Sequence, residues 1–366
     1  MVEINESMKR LIYILLALFV LSSASACGQK KKAAEQIAVV GFYNVENLFD
    51  TLDDPNRDDA EFLPDGANKW TPDKYRRKLN NIARAIRAMA TENGQFHAIL
   101  GLAEVENDRV LKDLVACENL AKAGFKYVHH EGSDGRGIDC ALLYRPDRFK
   151  VLASESIPYD FNSNIEFEYS KAEQAAFSTR DVLMVRGKLD GEPFAVYVAH
   201  LPSRRGDKGM DLRARGAEII YDHAMALMDK YPGIKIAVMG DMNDDPVDAS
   251  MTDYLHARET LAEMTPKEFF SPFMAMLKAG YGSMEYRGTW EIFDQILVND
   301  NIARAPAGTL QIRPLEQGRY YGRVFKPDFL IQQSGRYKGT PFRTFSNGEF
   351  IDGYSDHLPT FVYLSK

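Results

Sequence analysis

The chain has 366 residues, 45% of them hydrophobic and 27% charged, with a formal net charge of -7. That hydrophobic share can fill a large core, and the length allows one large domain or two medium ones. The acidic balance excludes a basic protein that coats nucleic acid, but neither a local basic cleft nor an anionic substrate neutralised by a metal ion.

In chain order, "MKRLIYILLALFVLSSASAC" comes first and stands apart from the fold. Lys9 and Arg10 precede an apolar run, Leu11 to Leu21, and then small residues up to Cys27, the pattern of a secretory signal peptide over residues 1–26. "ASAC" resembles a bacterial lipobox, with Ala24 in the position usually held by Leu, and makes Cys27 the candidate lipidation site. Ordinary cleavage after Ala26 is the alternative. Residues 27–36 read as a tether. Removing residues 1–26 takes away Glu3, Glu6, Lys9 and Arg10, so the charge stays at -7. Cys117 and Cys140 could pair in an oxidising compartment, yet both read more simply as small buried apolar residues.

Ile37 to Phe42 is an apolar, β-branched run, a buried strand. Residues 53–69 are rich in Asp, Asn, Pro and Gly and predict a loop. Thr71–Pro72 opens a helix with Tyr75, Leu79, Ile82, Ile86 and Met89 at helical spacing. "HAILGLAEVEN" is a second strand ending near Glu104, "RVLKDLVACENLAKAG" a helix stopped by Gly124, and "IDCALLYRP" a third strand. "DVLMVRGKLDGEPFAVYVAHL" holds two strands joined at Asp190–Gly191, a hairpin signal. "MDLRARGAEIIYDHAMALMDKY" is a helix, and "IKIAVMGDMND", "WEIFDQILVN" and "HLPTFVYL" are strands. "EYSKAEQ" and "EQGRYYGR" are polar connections. Single strands, helices and hairpins mixed in this way predict an α/β fold of two mixed sheets packed face to face with helices outside. No linker is visible after residue 36, so residues 37–366 read as one catalytic domain.

Polar residues collect at the strand ends: Asn44, Glu104, Arg180, His200, Asp241, Asn243, Asp294 and the adjacent Asp356–His357. Each alone has a plain structural role open to it, as a turn residue, a helix-start acid, a core histidine or an ion pair. Their order and contexts together are more specific. "YNVENL", "LAEVEN", "AHLPSR", "GDMND", "FDQIL" and "SDHLP" resemble, in that order, the motifs of the endonuclease/exonuclease/phosphatase superfamily. Pancreatic-type deoxyribonuclease, abasic-site endonucleases, sphingomyelinases and inositol-phosphate phosphatases share this fold. The resemblance runs from about Ile37 to the last residue; residues 53–69 and much of 156–176 match nothing in it.

The resemblance implies a four-layer α/β sandwich and metal-dependent hydrolysis of phosphodiesters. A phosphodiester is anionic and resists hydroxide, so its hydrolysis needs charge neutralisation and a positioned nucleophile. Oxygen ligands suit Mg²⁺, or Mn²⁺ in its place; neither a paired-Cys nor an HExxH zinc pattern occurs. By resemblance Glu104 is the main metal ligand with Asn44 beside it. Asp356 is read as a second partner at the metal or as the carboxylate that orients an imidazole. His357 pairs with Asp294 and either activates water or stabilises the phosphate. Asp241 aligns the water, Asn243 binds a phosphate oxygen, and His200 is a candidate general acid. Arg180 and Tyr144 bind phosphate or brace the site. Arg204 and Arg205 either clamp a second phosphate or belong to a solvated loop.

The leading expectation is an exported nuclease acting on DNA or RNA, a periplasmic or outer-membrane lipoprotein of a Gram-negative-type bacterium held to the membrane by its N-terminal lipid. The alternative enzyme is a phosphatase or phospholipase-C-like hydrolase of lipid or inositol phosphates. A non-catalytic binding scaffold is the alternative of another class. No protein partner is inferred.

Overall fold

The computed structural model describes residues 37–204, 209–315 and 319–366. The expected signal peptide and tether, with Cys27, and Arg205 lie outside the described residues. The strands β1 (Ile37–Leu48), β2 (Ile99–Val105), β3 (Lys126–His129), β4 (Asp139–Tyr144), β5 (Phe149–Ile157), β6 (Val182–Leu189), β7 (Glu192–His200) and β8 (Lys235–Asp241) come first. The short strands β9 (Ala257–Arg258), β10 (Phe269–Phe270), β11 (Met284–Tyr286) and β12 (Thr289–Glu291) precede β13 (Asp294–Asn299). They are followed by β14 (Gln311–Arg313), β15 (Gly322–Val324), β16 (Phe345–Ser346), β17 (Glu349–Phe350) and β18 (Thr360–Ser365).

One seven-stranded sheet runs β14-β18-β1-β2-β4-β3, with β15 also on β18; the other runs β5-β6-β7-β8-β13-β10-β9. The pairs β1–β2 and β7–β8 are parallel, and each is flanked by antiparallel neighbours. The two sheets pack through Val40, Phe42, Ile99 and Ala103 on one side and Val196, Val198, Met239 and Ile296 on the other. Gly101 has a steric reason: a Cβ there would lie 2.6 Å from the Met239 sulfur.

The central strands are covered on both faces. In β7, Val196 and Val198 point into the inter-sheet core, while Ala195, Tyr197 and Ala199 meet Ala217, Ile220, Ala224 and Leu227 of the helix Met210–Lys230. Burial on both faces explains why these strands read as continuous apolar runs rather than alternating ones. The helix Pro72–Glu92 follows its expected register, with the Thr71 side chain capping the Lys74 amide and Leu79, Ile82, Ile86 and Met89 buried. Asp190 and Gly191 both take positive φ, 47° and 89°, as a two-residue hairpin turn requires.

Four expectations change. "WEIFDQILVN" is not one strand, since β12 ends at Glu291 on a small hairpin with β11 while β13 starts at Asp294 in a large sheet. The helix predicted after Asn107 splits into Asp108–Ala116 and Glu118–Ala121, because Cys117 is extended, with ψ 141°. β3 and β5 were not expected; each lies at a sheet edge, where solvent replaces one neighbour and polar residues interrupt the apolar pattern. "EYSKAEQ" opens the short helix Lys171–Ala176, started by a reciprocal Ser170–Glu173 capping box. Cys117 and Cys140 are both free thiols.

His97 stands at the start of β2, fully buried, and neither ring nitrogen has a hydrogen-bond partner. Burial pushes its pKa down from 6.5 to about 3. Below pH 6.5 the unfolded chain therefore takes up a proton that the folded chain refuses. Stability from this group is intact above that pH and falls by about 1.4 kcal/mol per unit as pH drops toward the folded value. Urea unfolding of wild type and His97→Leu is expected to diverge in this direction between pH 6.5 and 4.5. Parallel pH profiles would remove His97 as the cause.

Candidate active site

Topology delivers the polar residues to one rim. β1 and β2 run parallel, so Asn44 and Glu104 emerge at the same edge. β7 and β8 do likewise, placing His200 opposite Asp241. β13 runs antiparallel to β8, so its first residue, Asp294, faces Asp241. His357 arrives just ahead of β18, antiparallel to β1.

Local irregularities aim the side chains. The β1–β2 register shifts between Asn44 and Leu48, and Glu46, Asn47 and Glu104 adopt φ of 49°, 50° and 64°. Such left-handed conformations cost free energy and persist where the surroundings enforce them. Here they turn Glu104 to the rim, where its carboxylate accepts from Asn44 Nδ2 at 3.1 Å and the Asn47 amide at 2.8 Å. Asn243, at φ 51°, donates its amide to Asp241 and its side-chain NH₂ to the Leu201 carbonyl.

Asp241 is the hub. Its Oδ2 accepts from Asn44 Nδ2 at 3.0 Å and lies 3.5 Å from His200 Nε2 and 3.6 Å from His357 Nε2. His357 Nδ1 is 2.8 Å from Asp294 Oδ2, which Ser283 Oγ also holds at 2.6 Å. Burial alone would lower the His357 pKa, but the Asp294 and Asp241 carboxylates outweigh it and hold the imidazole well above its ordinary value. Burial, Arg180, His357 and Arg136 hold His200 well below. Burial lifts the Asp241 carboxyl to about 6, against the pull of His357. Two imidazoles on one carboxylate are thus driven to opposite charge states, the separation that divides proton roles in a site.

The pocket over this rim has a volume of about 450 Å³ and is walled by Arg136, Arg180, Ser203, Arg204, Tyr286 and Phe293 among others. Glu104, His200 and Asp241 each offer one ligand atom within 4.8 Å of the others. Two carboxylates and a neutral imidazole fit a divalent cation, whose charge would favour the ionised Asp241 against the burial that raises its pKa.

Several expected roles change with this geometry. Asn44 Oδ1 accepts the Glu46 amide, so its NH₂ rather than its oxygen faces Glu104 and Asp241, and it braces the carboxylates. Asp356 lines the pocket, but its Oδ2 is bound by Arg343 at 3.0 Å, and the acid that orients His357 is Asp294. His200 lies on the same rim, its Nε2 3.5 Å from Asp241 Oδ2 and 4.0 Å from Glu104 Oε1. Arg180 reaches the wall, donating to the Leu201 carbonyl at 2.8 Å. Arg204 also lines the pocket, but its guanidinium is taken up by the Asn243 carbonyl, Asp244 and Asp248 and stacks on Phe293, so it is a brace.

Tyr144 is displaced outright. β4 runs antiparallel to β2, pairing Tyr144 with Ile99 at the end far from Glu104. Five residues of strand put it roughly 16 Å from the rim. Ser283 and Arg136 escaped the sequence reading. A serine eleven residues before Asp294 carries no periodic signal, and Arg136 sits in a Gly-rich turn.

Comparisons with known proteins agree with this architecture. The chain belongs to the endonuclease/exonuclease/phosphatase family, whose profile matches residues 39–366. Members hydrolyse phosphoester bonds and depend on divalent metals. Among solved structures, mannosyl-6-phosphatase from Bacteroides thetaiotaomicron is similar at 15% identity, covering 89% of this chain and 99% of that one, with a TM-score of 0.52. An endonuclease/exonuclease/phosphatase family protein from the same organism is similar at 16% identity, 90% and 98% coverage and a TM-score of 0.51. D. rerio TDP2 complexed with single-strand DNA product is similar at 14% identity, 91% and 100% coverage and a TM-score of 0.50. At these identities the likeness shows the fold alone. No curated protein matches the sequence.

Proposed function

We propose that this protein is a Mg²⁺-dependent phosphodiesterase, with Mn²⁺ able to substitute, acting on nucleic acid. The observation that carries the reading is the buried Asp294–His357–Asp241 chain beside Glu104 and His200. A cation held by Glu104, Asp241 and His200 would neutralise phosphoryl charge. The side chains do the rest. Asp241, which faces His200 and His357 at the floor of the site, aligns the attacking water. His357, kept charged by Asp294 and Asp241, donates a hydrogen bond to a phosphoryl oxygen as negative charge builds there. Asn243 fixes the Leu201 loop at the mouth of the site.

The nucleic-acid choice draws support from Arg136 and Arg180 in the pocket wall and from the fold shared with a DNA-product complex. A sugar or lipid phosphate is the second reading, favoured by the aromatic wall of Tyr286 and Phe293 and by the fold shared with a sugar phosphatase. Purified protein with Mg²⁺ should nick plasmid DNA or cleave RNA. Robust turnover of sphingomyelin, phosphoinositide or mannose 6-phosphate without nucleic acid cleavage would move the assignment to the second reading.

We also propose export and anchoring through lipidated Cys27, on the signal-peptide pattern alone; no helix among the described residues is long and apolar enough to cross a membrane. Cys27→Ser is expected to move the protein from the membrane fraction to the soluble periplasm. A wild type that is soluble and cleaved before Cys27, with no lipid attached, would end this proposal.

A further inference from the structure

The loop between β3 and β4 is tied down along its length. The Gly132 amide donates to Asp139 Oδ1 at 3.0 Å, and Ser133 Oγ donates to the Thr179 carbonyl at 2.9 Å. Arg57, from the long loop after β1, donates to the carbonyls of Gly132 and Asp134, both at 2.8 Å. The Asp58 amide donates to the Gly135 carbonyl at 2.9 Å. Gly137 takes φ 77°, and a Cβ there would lie 3.0 Å from Arg57 Cγ, so the turn closes directly onto the arginine stem.

From this fixed loop Arg136 enters the pocket wall with its side chain 44% exposed. Its nearest carboxylate, Asp134, is 3.8 Å from Nε, beyond hydrogen-bond reach. Among the described residues its terminal nitrogens bind nothing. Asp134 is shared with Arg180, whose Nη1 lies 3.5 Å away. The Arg180 side chain is only 9% exposed, and its Nε has no partner. One carboxylate thus serves two guanidiniums, one of them buried and incompletely bonded.

We infer that Arg136 is a substrate-binding residue that holds an anionic phosphate oxygen alongside Arg180, and that Arg57 is the positioning residue that fixes its loop. A guanidinium fork matches phosphate geometry, and a loop ordered in advance binds without the entropic cost of ordering. This gives the otherwise unassigned loop after β1 a function. The inference rests on the phosphoester-hydrolase reading for its ligand class but is testable apart from turnover.

The test is calorimetric binding of inorganic phosphate to the full chain in Mg²⁺, with steady-state kinetics on DNA beside it. Arg136→Ala should weaken phosphate by about 10-fold, the scale of one charge-assisted hydrogen bond, and raise KM more than it lowers kcat. Arg136→Lys should recover part of the affinity. Arg57→Ala should weaken phosphate as well, and adding it to Arg136→Ala should cost nothing further, because Arg57 acts through Arg136. Phosphate affinity within 2-fold of wild type in Arg136→Ala, or full additivity with Arg57→Ala, overturns the inference even if the enzyme cleaves phosphodiesters. Arginine-dependent phosphate binding in a protein that hydrolyses no phosphoester would instead sustain the inference and sink the proposed activity.

Discussion

His357→Ala and Asp294→Asn are each expected to lower kcat on a phosphodiester by about 10²- to 10⁴-fold, the range of acid–base and charge-stabilising contributions. Asp294 has no exposed surface, and its Oδ2 is divided between His357 and Ser283. Removing the imidazole leaves that carboxylate buried and uncompensated, which should also cost about 3 kcal/mol of stability. Asp294→Asn removes the charge that keeps His357 protonated, with little loss of volume. The double variant should therefore lose no more activity than the worse single one, because the two residues act as a unit. It should also be more stable than His357→Ala alone, because no buried charge is stranded. Rates and urea midpoints for the three variants decide the matter. Multiplicative rate losses, or wild-type turnover in either single variant, would break the unit apart.

Glu104→Gln is the second large effect. Glu104 sits in a left-handed bulge, and its carboxylate joins Asp241 and His200 around one point. Gln keeps the shape and can still accept from the Asn47 amide, but it lacks the charge that attracts a cation. We expect kcat to fall by about 10³-fold, the several kcal/mol that a metal supplies to transition-state charge. Half-maximal activity should need more Mg²⁺, and calorimetric Mn²⁺ affinity should fall in parallel. Undiminished turnover by the wild type in excess chelator would discard the metal dependence altogether.

Much of this was legible in the sequence for physical reasons. The parallel central strands are buried on both faces, so their runs of β-branched residues stand out, and the helices carry periodic apolar faces with their caps. A polar residue ending an apolar strand is conspicuous, and Asn44, Glu104, His200, Asp241, Asp294 and His357 were all visible in that way. The missed helix at Lys171–Ala176 was legible too, since Ser170 and Glu173 have capping-box spacing. The edge strands β3 and β5 were not, because pairing with one neighbour leaves half their residues free to be polar.

What the tertiary structure alone decided is direction and company. Strand polarity sends Tyr144 to the wrong end of β4 and brings Asp294, at the start of its own strand, onto Asp241. Whether an arginine binds substrate or braces a loop depends on which carboxylates surround it. Arg204 lies next to three aspartates and is consumed by them, whereas the terminal nitrogens of Arg136 bind nothing among the described residues. The charges of His200 and His357 likewise follow from burial and neighbours far apart in the chain. Local sequence encodes propensity and periodicity over a few residues, whereas an electrostatic environment is a sum over residues that only the folded chain brings together.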